Sequence, residues 1–120
     1  MDGESSKVEC ELGRIEMVQG NPDGAFAHYT SANQLSPGDP AAEIGMAEVL
    51  KVQKKPEEAA KDLRLAVAAD PLNAEAHYKL AQLYKQLGMD DEAKKELQLF
   101  ADIRASKQKV QELYQQMKPQ

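Results

Sequence analysis

The chain has 120 residues, 42% hydrophobic and 29% charged, with a net charge of −5 from 15 basic and 20 acidic side chains. That is one domain's length and an ordinary folded composition, outside the apolar-poor range of disordered chains. The acidic balance argues against nucleic acid as a ligand, the single Cys10 excludes an internal disulfide and a paired-thiol metal site, and no apolar run nears a membrane span.

The opening MDGESSK is acidic and polar where a secretory signal would be basic and then apolar, so residues 1–5 read as a short leader and the cytoplasm as the expected compartment. Ser6-Lys7-Val8-Glu9 forms a capping box for a first helix that ends near Gly20. Asn21-Pro22 then supplies an N-cap and a proline at the first position of a second helix. Another pair opens at Asp39-Pro40, turns at Lys54-Lys55-Pro56 and closes at Asp70-Pro71. The third opens at Asn73, carries Ala76, Leu80, Leu83, Tyr84 and Leu87 at helical spacing and turns at Gly88. It resumes with Asp90 as N-cap and Ala93, Leu97 and Phe100 as its apolar face.

Beyond Phe100 two readings compete. Neither Gly nor Pro occurs between Asp90 and Lys118, so one helix could run straight through, overhang its partner and offer a weak homodimer contact through the C-terminal helix. Against this, Val110, Tyr114 and Met117 fall thirty-four residues after Ala76, Leu80 and Leu83. That register predicts a turn near Arg104 to Lys107 with Ser106 as N-cap. Val110, Tyr114 and Met117 would then lie on the third pair as a solvating cap, leaving Gln111, Gln115, Gln116 and Lys118 in water.

The same thirty-four-residue spacing aligns Leu12, Met46 and Leu80; Gly13, Ala47 and Ala81; Ile15, Val49 and Leu83; and Ala25, Ala59 and Ala93. Tyr29, Leu63 and Leu97 follow four residues after the last series, and Pro37 and Pro71 close two of the units. Small residues on both helices let a pair approach closely, and the larger ones fill the space between pairs. Glu9 and Glu16, seven residues apart, put a polar face on the first helix, so nothing is expected to stack in front of it.

These residues resemble the tetratricopeptide repeat, W-x2-L-G-x2-Y, then A-x3-F, then P. The third unit offers His77, Leu80, Ala81, Tyr84, Ala93 and Leu97 to that pattern, the second Met46, Ala47, Ala59, Leu63 and Pro71, and the first Leu12, Gly13, Ala25, Tyr29 and Pro37. Glu9 and Glu43 depart from the Trp slot, Glu16 and Leu50 from the Tyr slot, and Ala105 from the closing Pro. The resemblance implies an all-α, right-handed α-solenoid of antiparallel helix pairs. Its repeats would be 6–39, 40–73 and 74–107, followed by a capping helix and tail at 108–120.

No phosphate loop, nucleophile elbow or metal motif is present, and His28 and His77 lie in different units, so no catalytic residue, metal or cofactor is expected. Acid pairs such as Glu57-Glu58 and Asp90-Asp91 stand at helix starts, where negative charge favours the helix dipole.

A residue two positions before a buried Leu12, Met46 or Leu80 points about 160° away from it. By that rule Cys10, Ile44 and Tyr78 face outward, with Arg14 and Met17, Glu48 and Lys51, and Gln82 and Lys85 on the same stripe. In proteins of the resembled family this stripe lines a concave groove that receives a peptide or helix. The expected function is therefore a protein-interaction scaffold, with a docking module of a larger enzyme or a self-assembling structural protein as alternatives. Some such grooves clamp a chaperone tail's terminal carboxylate with Lys, Asn and Arg side chains. The corresponding places here hold Cys10, Arg14, Gly45, Glu75 and Lys79, so most of that clamp is missing.

Overall fold

The computed structural model describes residues 2–119, which form α1 (Asp2–Val18), α2 (Pro22–Leu35), α3 (Pro40–Val52), α4 (Pro56–Ala69), α5 (Ala74–Gln86) and α6 (Asp90–Met117). No strand occurs among the described residues. α1 packs with α2, α3 with α4 and α5 with α6; successive pairs join through α2–α3 and α4–α5, and α1 also reaches α3. This is the stacked α-solenoid that the repeat register implies.

One turn closes all three pairs. The N–H groups of Asn21, Lys55 and Met89 each donate to a carbonyl five residues back, on Glu16, Leu50 and Tyr84, at 2.8 Å. The preceding residue is left-handed each time: Gly20 (φ 78°), Lys54 (φ 62°) and Gly88 (φ 78°). Two of the three positions use the residue that adopts this backbone freely, and Lys54 bears a strain of about 1 kcal/mol. Asn21, Asp39 and Asn73 cap α2, α3 and α5 through their side chains, as expected. α6, however, is preceded by Met89, so Asp90 is its first residue instead of its N-cap, and Asp90, Asp91 and Glu92 fill its first turn.

Leu63, Leu80 and Val49 are among the largest fully buried side chains, and Ala25, Ala59 and Ala93 sit at the tight helix contacts with 0%, 0% and 4% exposure. The end units differ. Ile15 and Leu97 hold register positions that are buried in the middle of the stack, at Val49 and Leu63, yet they are 49% and 42% exposed. A helix pair covers only part of its own apolar surface and needs a neighbour for the rest.

Three further expectations are corrected. α1 begins at Asp2, so Ser6 opens no helix; it is buried, and its Oγ donates to the Ala32 carbonyl at 3.3 Å. No described helix stacks in front of α1, as expected, but Glu9 and Glu16 do not form a free polar face, because Glu9 Oε2 lies 2.8 Å from His28 Nδ1 and Glu16 accepts from Asn21 Nδ2 at 2.5 Å. Both acids tie α1 to α2. Finally, α6 continues unbroken for 28 residues, about 42 Å at 1.5 Å per residue, with no turn at Arg104 to Lys107. Val110, Tyr114 and Met117 are 65%, 70% and 80% exposed and do not pack on the third pair. With no helix breaker in the segment, continuing the backbone ladder costs less than the turn a fold-back would need.

The last side chain that α6 buries is Ile103. The overhang contributes to a radius of gyration of 16.1 Å, against about 13.6 Å for a compact chain of this length.

One cross-hairpin position recurs in all three units. Glu9 meets His28, and His77 Nδ1 meets Glu96 Oε2 at 2.5 Å, both pairs nineteen residues apart. The same offset in the second unit joins Glu43 to Asp62. His77 Nε2 also donates to the Pro71 carbonyl at 2.7 Å, so both ring nitrogens of this buried histidine have a partner.

Candidate functional site

The opening helices of the three units, α1, α3 and α5, share a cavity of ≈ 400 Å³. α1 contributes Cys10, Glu11, Arg14 and Met17; α3 contributes Ala41, Ile44, Gly45 and Glu48; α5 contributes Glu75 and Lys79. Tyr29 enters from α2 and forms the floor. Residues spaced by one helical turn present one face per helix, which is why the lining positions recur at intervals of three or four.

The floor depends on two glycines. A Cβ on Gly13 of α1 would stand 2.8 Å from the Tyr29 ring, and one on Gly45 of α3 would overlap that ring. The aromatic ring therefore sits between two bare helix backbones and is only 6% exposed. Its hydroxyl is pushed above its ordinary pKa, first by burial and then by Cys10, Glu48 and Glu11, with Arg14 opposing. The Cys10 thiol is raised as well, by burial and then by Asp39, Glu11 and Glu9. Such a thiol is protonated at neutral pH and is a poor nucleophile.

The rim is charged and internally paired. Lys79 Nζ lies 2.7 Å from Glu48 Oε1 and 3.8 Å from Glu75 Oε2, bridging α5 to α3. Arg14 Nη2 lies 2.6 Å from Glu11 Oε2 on the same helix. No group of three or more potential metal ligands occurs among the described residues, and none of their helices is long and apolar enough to cross a membrane.

Of the stripe expected from sequence, the structure brings Cys10, Arg14, Met17, Ile44 and Glu48 together at this cavity. Lys51, Gln82 and Lys85 are exposed and do not line it. Ile44 requires a correction, since it is only 7% exposed and belongs to the main core cluster while its edge reaches the cavity. The 160° rule treats a helix as having one covered side, but α3 has a pair on each flank. Tyr78, 41% exposed, packs on Phe100 of α6 with ring centroids 5.0 Å apart, and Arg104 stands 5.5 Å above the Phe100 ring. It anchors the start of the overhang, away from the cavity.

Tyr29, Glu11 and Ala41 were missed as lining residues. A signal for Tyr29 existed in Gly13 and Gly45, two glycines inside helices that otherwise lose stability by having them.

The profile of the tetratricopeptide repeat matches residues 17–61 and 52–117. Over 87 residues, 72% of this chain, the sequence is 38% identical to the TPR repeat-containing thioredoxin TTL4 of Arabidopsis thaliana, of which it spans 13%. Among solved structures, the first TPR of Spaghetti (RPAP3) bound to the HSP90 peptide SRMEEVD superposes with a TM-score of 0.80 at 23% identity, covering 96% of this chain and 94% of that one. The Arabidopsis OM64 TPR domain gives 0.79 at 19% identity, with 88% of each chain covered. Matched stretches reaching from the last turn of α1 to the end of α6, on top of the thirty-four-residue register of Ala25, Ala59 and Ala93, make this chain a member of the tetratricopeptide repeat family.

Proposed function

We propose that the chain is a non-catalytic scaffold that binds an extended peptide or a helix of a protein partner in the cavity between α1, α3 and α5. The observation that carries this reading is the cavity itself. It is open, spans all three units, has Met17, Tyr29 and Ile44 at its base and carries charge along its rim, the composition of a peptide-recognition groove. Similarity to a fold solved with a bound peptide supports the same class of partner.

Ala41→Trp tests it. Ala41 is exposed at the cavity edge, so an indole there fills the space without entering the core. Heptapeptides selected from a random display library on the parent chain should lose binding to Ala41→Trp and keep it on Tyr114→Ala, whose change lies on the overhang. Peptides that tolerate the indole and fail on the α6 variant would move the binding surface and refute the proposal.

A docking module within a longer catalytic chain is the second reading, favoured by the small share of a thioredoxin-named relative that this stretch spans. Both readings use the same cavity; they differ in what the chain is joined to.

A further inference from the structure

We infer that the cavity selects a peptide segment carrying a cationic side chain beside an aliphatic one, and disfavours acidic tails that end in a free carboxylate. This rests on the groove reading above and adds the charge of the ligand.

Three carboxylates, Glu11, Glu48 and Glu75, face two cations, Arg14 and Lys79. Both cations already hold carboxylates of the chain itself, Lys79 two of them and Arg14 one. An incoming carboxylate would have to displace one of those partners and meet like charge from the rest. An incoming guanidinium or ammonium meets the opposite situation, because a carboxylate oxygen accepts more than one hydrogen bond and the rim holds an uncompensated acid.

The field around the α1 wall has the same sign. Asp39, Glu11 and Glu9 all act to raise the Cys10 thiol, and Glu48 and Glu11 act likewise on the Tyr29 hydroxyl, where Arg14 opposes them. Position 45 strengthens the argument sterically. Any side chain there would overlap the Tyr29 ring, so α3 can place no amide donor at the point closest to the floor. What remains at the base is apolar surface from Met17, Tyr29 and Ile44, suited to one aliphatic side chain.

The test uses three fluorescent hexapeptides: leucine alternating with arginine and both ends blocked, leucine alternating with serine and blocked, and leucine alternating with glutamate with a free carboxylate. Binding is read by anisotropy, and its location by the backbone amide shifts of Cys10, Gly45 and Lys79. The arginine peptide should bind on the order of tenfold more tightly than the serine peptide, equivalent to about 1.4 kcal/mol, and the glutamate peptide more weakly than both. Raising salt from about 0.05 M to about 0.5 M should remove most of the difference.

Glu48→Gln and, separately, the far more exposed Glu75→Gln should each weaken the arginine peptide about threefold and leave the serine peptide unchanged. If the glutamate peptide binds as tightly as the arginine peptide and shifts the same amides, the charge inference falls while the groove reading survives. If no peptide moves those amides, both fall.

Discussion

Gly45→Ala isolates the contact that shapes the cavity. In the interior of α3 the substitution alone should gain about 0.5–1 kcal/mol of helix propensity. The new methyl, however, overlaps the Tyr29 ring, which cannot retreat because the α1 backbone at Gly13 already stands against its other face. Overpacking of a closed site costs about 1–3 kcal/mol, so the expected net effect is a loss of about 0.5–2 kcal/mol, or a few degrees in Tm.

Urea denaturation followed by circular dichroism at neutral pH measures this, and a double-mutant cycle assigns it. In a Tyr29→Leu background Gly45→Ala should turn neutral or stabilising, giving a coupling energy of about 1–3 kcal/mol. Equal stabilisation by Gly45→Ala in both backgrounds would refute the wedged-ring account and with it the shape of the cavity floor.

Lys54→Gly should stabilise the chain by about 1 kcal/mol, since the residue is left-handed at the turn where its two counterparts are glycine; an unchanged denaturation midpoint would show that the strain is absent. Asp62→Asn should also stabilise it, by about 0.5–1 kcal/mol at neutral pH after allowance for solvent screening. Burial raises the Asp62 carboxyl, with Glu43 and Glu58 adding and Lys61 opposing, and burial followed by Asp39 raises Glu43. Because the folded state holds these protons more tightly, their contribution is greatest below the ordinary carboxylate range and declines as pH rises through it. The gain from Asp62→Asn should therefore shrink as pH falls through the raised range of the folded carboxyl and be largely gone by about pH 4, and a constant gain would exclude this cause. A chain ending at Lys107 should keep its stability within about 0.5 kcal/mol, because the described side chains it loses are exposed; a loss of several kcal/mol would show them covered by a second chain.

The helix pairs were legible because Gly, Pro and capping residues recur with the apolar periods, each signal being local. Asn21, Asp39 and Asn73 act as the sequence suggested, and Ala25, Ala59 and Ala93 occupy the close contacts. Errors arose where identical local patterns meet different surroundings. Ile15 and Val49 share a register position, but only Val49, in the middle unit, has a pair on both sides. Val110, Tyr114 and Met117 copy the spacing of a buried face, yet spacing supplies no turn, and nothing from Asp90 to Lys118 breaks a helix. The cavity was half visible: one-helix geometry found Cys10, Arg14, Met17 and Glu48, while Tyr29 arrives from a neighbouring helix that no one-helix rule considers.

The cross-hairpin pairs have a consequence for assembly. Glu9 with His28 and His77 with Glu96 are the same chemistry written in opposite directions, and Glu43 with Asp62 is acid against acid. The helices are consequently not exchangeable parts. Joining α1 to α6 would set Glu9 against Glu96, and joining α5 to α2 would set His77 against His28. In a chain whose apolar faces are near copies of one another, this position sets the first and third hairpins apart, and an array that shuffled their halves would lose both acid–histidine pairs.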